Sequence, residues 1–198
     1  MKKTTVIFDL GNVLVAYDWK SYLKTFSFDD NVFHTIANAM FLNSDWEEGD
    51  RGADAEQWLS LFIENAPEYE KEIRMVYENL EKCVYLFPYT LKLIQFFRKN
   101  GYRILFLSNY SEYLYEKTKG TLSFIETFDG GVFSFEETCI KPDKLIYERL
   151  LEKYHIAPEE ALFFDDREEN VRAAEELGIH GILFTSETAD KILKGQIV

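Results

Sequence analysis

Apolar and polar positions alternate along the chain in two distinct rhythms. Four segments are almost continuously apolar and stop at a turn or a polar residue: Lys3 to Asp9 (KTTVIFD), Arg103 to Ser108 (RILFLS), Ala161 to Phe164 (ALFF, before Asp165) and Gly181 to Phe184 (GILF). Such short runs of β-branched and aromatic residues predict buried strands. Gly131 to Phe135 (GVFSF) is a weaker candidate of the same kind. Between them, Tyr89 to Lys99, Lys144 to Tyr154 and Glu168 to Leu177 carry apolar residues three and four apart, the spacing of one helix face. A further helix is expected from Glu112 to Gly120. Gly101 and Gly178 stand where helices end on glycine. Apolar strands alternating with helices predict an α/β fold, a parallel sheet covered on both faces with right-handed crossovers.

The stretch from Tyr17 to Phe87 breaks this rhythm. It predicts helical pieces at Trp19 to Phe26, Asp30 to Ala39, Asp54 to Ile63 and Pro67 to Glu81, and no strand. The chain therefore reads as a core of residues 1–16 and 88–198 with a helical subdomain, 17–87, inserted after the first strand. No internal repeat or low-complexity tract interrupts either part.

Composition narrows the function classes. With 198 residues, 46% hydrophobic and 16% aromatic, the chain can bury one sizeable core. A net charge of −13 repels nucleic acid and anionic lipid, so neither is an expected partner. No run approaches the roughly 20 apolar residues that cross a bilayer. Asp9 interrupts the first apolar run too early for a signal peptide, which predicts a cytoplasmic protein. Cys83 and Cys139 suggest neither a disulfide framework nor a zinc site and are expected to be buried free thiols.

The candidate chemistry gathers where strands end. Asp9, Ser108 with Asn109, and Asp165 with Asp166 each close an apolar run, and Lys141 precedes the helix entered at Pro142 and Asp143. In an open parallel sheet, ligands bind outside the carboxyl ends of the strands. Each residue alone has a plainer reading as a turn, a helix cap or a solvated lysine. That reading gives no reason for all of them to recur at strand ends. Together they suit a phosphate ester handled with a divalent cation. Asp9 can attack phosphorus. Asp9, Asp166 and Asp165 can hold Mg2+. Ser108, Asn109, Lys141 and the turn from Leu10 to Asn12 can bind the phosphate oxygens.

The ordered segments FDLGN, LFLSN, IKPD and FFDDREENVRAAEELGI resemble the four motifs of the haloacid dehalogenase-like (HAD) hydrolase superfamily, most of whose members are Mg2+-dependent phosphatases. The resemblance covers essentially the whole chain. It implies a three-layer, Rossmann-like core with an inserted α-helical cap that selects substrates, as in the subfamily of phosphoglycolate and β-phosphoglucomutase-like enzymes. It further implies Asp9 as nucleophile, Ser108 and Lys141 as phosphate-holding catalytic groups, and Asp166 as direct metal ligand beside Asp165. Asn170 would support the metal shell and the Gly11 main-chain carbonyl would be a further ligand.

One position departs from the pattern. In most phosphatases of the superfamily the residue two after the nucleophile is a second Asp that protonates the leaving oxygen; here it is Gly11. Such help is worth about 10²- to 10⁴-fold. The segment FDLGNVL also resembles a bacterial branch that includes a sugar-phosphate phosphatase, so the glycine form is compatible with turnover on a small phosphorylated metabolite, a sugar phosphate among the candidates. Asp18 and His34 are candidate substitute acids, and Arg51 a candidate contact for a substrate anion. Two alternatives stand beside the phosphatase: a metal-independent dehalogenase using the same nucleophile, and a phosphate-binding protein silenced by Gly11. Oligomeric state is not readable from the chain.

Overall fold

The structure is a computed structural model that describes residues 3–196; residues 1, 2, 197 and 198, which close the two ends of the expected core, lie outside the described residues. In chain order the elements are β1 (Thr5–Phe8), β2 (Val15–Tyr17), α1 (Trp19–Lys24), α2 (Asp30–Ile36), α3 (Trp46–Asp50), α4 (Ala55–Asn65) and α5 (Glu70–Tyr77). There follow β3 (Val84–Leu86), α6 (Thr90–Lys99), β4 (Arg103–Ser108), α7 (Glu112–Thr118), β5 (Gly130–Phe133) and α8 (Ser134–Glu137). The chain finishes with α9 (Lys144–Tyr154), β6 (Ala161–Asp165), α10 (Glu168–Glu176), β7 (His180–Leu183) and α11 (Ser186–Leu193).

Five strands form a parallel sheet in the order β5-β4-β1-β6-β7, a Rossmann-like α/β arrangement. The first strand lies at its centre. The chain builds outward through β4 and β5, then crosses back to the other side of β1, so strand order reverses beside Asp9. Alternate residues of the strands serve opposite faces. Val6, Phe8, Ile104, Phe106, Leu162 and Phe164 pack with α6 and α11, whereas Ile7, Leu105, Leu107 and Phe163 pack with α9 and α10. Burial on both faces is why these strands read as continuous apolar runs rather than alternating ones. Phe8 illustrates the packing: its ring lies 5.4 Å from Phe97 edge to face and 5.4 Å from Phe164 in a stack. Burying a side chain of that size contributes about 1.5–3 kcal/mol.

The helical insertion departs from expectation at its two ends. Val15–Tyr17 and Val84–Leu86 pair antiparallel, so the segment expected to hold no strand ends in one at Val84–Leu86, and the pair forms a two-stranded stem. Three residues are too few to display the two-residue period of a strand, and the pairing is made by residues some 70 positions apart, which no local pattern reports. The expected helix from Asp30 to Ala39 passes into a wider π-helical segment, Ala37–Phe41. The piece expected from Pro67 to Glu81 divides into α5 flanked by two 3-10 turns, Pro67–Tyr69 and Leu80–Cys83. The helices α3, α8 and α11 were not expected, and α8 takes up Ser134 and Phe135 from the end of the strand expected over Gly131 to Phe135. For α11 a capping box at Thr185 and Thr188 is the local signal. Both cysteines are buried and free, as expected. No described helix is long and apolar enough to cross a membrane.

The insertion has its own aromatic centre. Trp58 is fully buried, 4.8 Å from Trp46 and 5.1 Å from Phe62, and its indole N–H donates to the Asp45 carbonyl at 3.0 Å. Gly49 on α3 lies against this ring so closely that an added Cβ would sit 2.4 Å from it. Glycine here sets the seat of α3 rather than a backbone angle. Gly49→Ala is expected to cost about 1–3 kcal/mol through overpacking, which thermal melting reads as a fall of roughly 2–4 °C per kcal/mol.

Candidate active site

The parallel register brings the first site residues together. Phe8 lies opposite Phe106 and Phe164, so Asp9 and Asp165 are the next residues on adjacent strands and Ser108 lies one step beyond that level. The Asp9 main-chain N–H donates to the Phe164 carbonyl at 2.9 Å, which carries the ladder up to the site. Carboxylate oxygens of Asp9, Asp165 and Asp166 lie within 4.8 Å of one another.

Lys141 enters from the loop before α9 and is only 1% exposed. Its Nζ is 2.9 Å from Asp9 Oδ1 and 2.6 Å from Asp165 Oδ2. Burial works to lower its pKa, but Asp165 and Asp9 outweigh that and raise it, so the ammonium keeps its charge. Asn109 lines the cavity and also positions the lysine. Its Oδ1 accepts from the Lys141 N–H at 2.8 Å and its Nδ2 donates to the Lys141 carbonyl at 3.0 Å. The amide expected to bind phosphate is thus committed to the peptide on both sides.

Asp165 is also fully engaged. Oδ1 accepts from the Arg167 N–H at 2.9 Å and Asn170 Nδ2 at 3.0 Å, while Oδ2 takes Lys141 and a second contact from Asn170 at 3.1 Å. Asp166 accepts one contact, from Asn12 Nδ2 at 3.2 Å. Asn12 has φ 56°, the left-handed region that asparagine tolerates, and this turn carries its side chain across to Asp166. Asp9 Oδ1 accepts from the Leu10 N–H at 2.7 Å as well as Lys141; among the described residues no hydrogen bond reaches Oδ2.

Three observations fit a divalent cation and a phosphate. First, three carboxylates against one ammonium leave two negative charges when all are ionised. Burial, then Asp165 and Asp166, pushes the Asp9 carboxyl up to about 7 despite Lys141, and burial raises Asp166 too, as expected where acids lack a counter-charge. Second, the Ser108 hydroxyl is buried without a hydrogen-bond partner. Third, Asn170 Oδ1 is an unpartnered buried acceptor. Buried polar groups are ordinarily satisfied. A phosphate oxygen and a hydrated cation would supply the missing partners.

A cavity of about 470 Å3 opens above this cluster, bounded by Asp9, Gly11, Asn12, Lys141, Asp166 and Asn170 on the sheet side. The insertion side contributes Tyr17, Phe41, Leu42, Trp46, Glu47 and Asp50. Phe41 and Trp46, whose rings lie 5.5 Å apart in the aromatic centre of the insertion, thus line the cavity as well. The substitute acids expected at Asp18 and His34 are not brought to this cavity. Asp18 caps α1 by accepting from the Ser21 N–H at 3.0 Å, and His34 is exposed with its ring against Phe33. Arg51 is exposed too, 3.6 Å from Glu47 on the same helix, and does not line the cavity.

Its neighbour Asp50 does. This carboxyl, missed in the sequence, is 8% exposed, and burial followed by the charges of Glu47 and Asp9 pushes it up to about 8. Arg167 likewise lines the cavity without having been singled out. The only local sign of Asp50 was its place in EEGDRG, which does not say which of four charged side chains turns inward.

Known proteins agree with this arrangement. The profile of the haloacid dehalogenase-like hydrolases matches residues 3–178. The sesquiterpene phosphatase astK of Aspergillus oryzae is 27% identical over 197 residues, covering 97% of this chain and 95% of its own. The HAD family enzyme bt-2542 of Bacteroides thetaiotaomicron, as its magnesium complex, superposes with a TM-score of 0.76 at 21% identity over 94% of this chain and 95% of that one. Its complex with magnesium and inorganic phosphate gives 0.74 at 22% identity, covering 93% and 95%. L-2-haloacid dehalogenase of Xanthobacter autotrophicus gives 0.67 at 14% identity, covering 100% and 85%. At these identities the structural likenesses speak for the fold. The profile spans most of the chain and takes in every residue of the carboxylate and lysine cluster: this protein belongs to the haloacid dehalogenase-like hydrolase family.

Proposed function

We propose that this hydrolase is a Mg2+-dependent phosphatase, of the branch with an α-helical cap formed by residues 17–87, which cleaves a monoester through an aspartyl phosphate on Asp9. The observation that carries this reading is the cluster itself: a nucleophile held at one oxygen, a buried ammonium beside it, and an unpartnered buried hydroxyl at the same strand ends. Two comparisons support it, a phosphatase relative along nearly the whole chain and a solved structure of the same fold with magnesium and phosphate.

Lys141 and the Leu10 N–H hold Asp9 Oδ1, which leaves Oδ2 to attack phosphorus in line. The Asp9–phosphorus bond forms as the bond to the alcohol oxygen breaks, and water then cleaves the acyl phosphate. Ser108 and Lys141 donate to the phosphoryl oxygens as they gain charge. Asp9, Asp166 and the Gly11 main-chain carbonyl would hold Mg2+, which would neutralise charge on the phosphoryl oxygens. Asp165 orients Lys141 and Asn170.

Charge and polarity of the walls support a substrate class. The cations lining the cavity, Lys141 and Arg167, belong to the sheet side. Among the described residues, the insertion contributes no cation to the lining; it contributes the acids Glu47 and Asp50, the polar Asn43 and Ser44, and the apolar or aromatic Tyr17, Phe41, Leu42, Trp46 and Val84. Of these acids Glu47 is the one that would face a second anionic group on the substrate, since burial pushes the Asp50 carboxyl up to about 8. The organic half of the proposed substrate therefore carries no second negative charge, with apolar surface for Phe41, Leu42 and Trp46 and polar groups for Asn43 and Ser44. The sesquiterpene phosphatase relative is in keeping with such a substrate.

Hydrolysis of 4-nitrophenyl phosphate with Mg2+ is expected, with loss of at least 100-fold in Asp9→Asn and on chelation. Turnover that survives chelation overturns the metal-dependent reading and favours dehalogenase-type chemistry; turnover that survives Asp9→Asn overturns the nucleophile. Trp46→Ala is expected to raise KM about tenfold for a sesquiterpene monophosphate with kcat nearly unchanged, since burying apolar surface of that size contributes about 1.5–3 kcal/mol. Glycolate phosphate, with its second anion, is expected to show a kcat/KM at least tenfold lower than the sesquiterpene ester. An equal or higher value overturns the substrate class.

A further inference from the structure

We propose that Asp50, delivered from the helical insertion, is the catalytic acid and base that takes the place left empty at Gly11. This inference rests on the phosphatase reading and adds to it the source of the proton.

The geometry at position 11 leaves the role open. Gly11 does not adopt a positive φ, and a Cβ built there meets nothing within 4 Å. Neither backbone strain nor crowding demands glycine. Gly11 and Asp9 line the cavity, and Asp50 lines it too, close enough for the charges of Asp9 and Lys141 to act on its carboxyl.

Asp50 is held in place from the sheet side. The buried Ser134 hydroxyl donates to the Asp50 carbonyl at 2.6 Å and accepts from the Tyr110 N–H at 3.0 Å, two residues beyond Ser108. The Gly52 α-carbon, close behind, sits where an added Cβ would lie 3.0 Å from the Phe135 carbonyl. On the other flank, Gly49 seats the helix on Trp58. The main chain of Asp50 is thereby tied to Ser134, 84 residues away, and through that hydroxyl to Tyr110 in the turn after Ser108. Its carboxyl, in contrast, makes no hydrogen bond or ion pair among the described residues. An anchored backbone and an unengaged side chain are what proton transfer to a ligand requires.

The surroundings keep the proton on. Glu47 on α3 and Asp9 after β1 raise its pKa, Lys141 and Arg167 lower it, and the phenols of Tyr17 and Tyr110 lie near enough to feel its charge. Burial is the largest influence and leaves the group a carboxylic acid at neutral pH. In the first step the Asp9 Oδ2–phosphorus bond forms, the phosphorus–alcohol bond breaks, and the alcohol oxygen takes the Asp50 proton. In the second, the water oxygen bonds to phosphorus, the aspartyl bond breaks, and Asp50 takes the water proton, which restores both carboxyl groups.

The test is kcat/KM for an alkyl monophosphate and for 4-nitrophenyl phosphate, with Mg2+, in the unsubstituted enzyme, Asp50→Asn and the double variant Gly11→Asp/Asp50→Asn. An aryl leaving group needs little protonation and an alkyl one needs much. Asp50→Asn is expected to lower the alkyl rate about 10²- to 10⁴-fold and the aryl rate at least tenfold less than that. The double variant is expected to recover most of the alkyl rate. Equal losses on both esters, or no loss, overturn the proposal, because a merely structural contact does not distinguish leaving groups. A second measurement needs no substitution: the unsubstituted enzyme is expected to show a shallow dependence on leaving-group pKa, and a steep one overturns the assignment. Absence of turnover on both esters by the unsubstituted enzyme overturns the phosphatase reading itself, and this proposal with it.

Discussion

The site depends on one buried cation. Lys141 is 1% exposed and sits between Asp9, which closes β1, and Asp165, which closes β6. Removing an ion from water costs several kcal/mol, and a charge left without its partner in such a place is strongly destabilising. The lysine is therefore tolerated only with both carboxylates in reach and its main chain clamped by Asn109. In return it holds the central strand, its neighbour and the loop before α9 in one fixed relation. It also keeps two adjacent acids from having to share a buried site alone.

The remaining imbalance explains the rest of the chemistry. One ammonium against three carboxylates is a deficit, and Ser108 and Asn170 each retain an unused polar atom in the same place. A protein interior keeps such a cluster only where something outside the chain completes it. The sheet side is thus a polar floor, in keeping with the cation and phosphate of the proposed reaction. The insertion supplies a wall of different character, with aromatic, acidic and small polar side chains.

Much of this was legible because the relevant signals are local. Strand runs such as RILFLS and ALFF are apolar throughout, since both faces of the sheet are covered, and their polar ends mark the edge of the buried layer. Asp9, Ser108 and Asp165 could be found on that ground. The stem made by β2 and β3, the turning inward of Asp50 and the commitment of Asn109 to Lys141 could not, because each is decided by a partner far along the chain. Asp18 and His34 do not line the cavity, and their partners are local: Asp18 caps its own helix through the Ser21 N–H and His34 lies against its neighbour Phe33.

By itself the sequence determined the layers of the core, the order in which its strands reach the carboxyl edge, and the residue types placed there, because hydrophobic period and turn chemistry act over a few neighbouring positions. Only the tertiary structure decided which side of the cavity each charge faces. Gly49 against Trp58 and Ser134 against the Asp50 carbonyl set that choice. A carboxyl four positions along a short helix has no orientation until the helix has something to rest on.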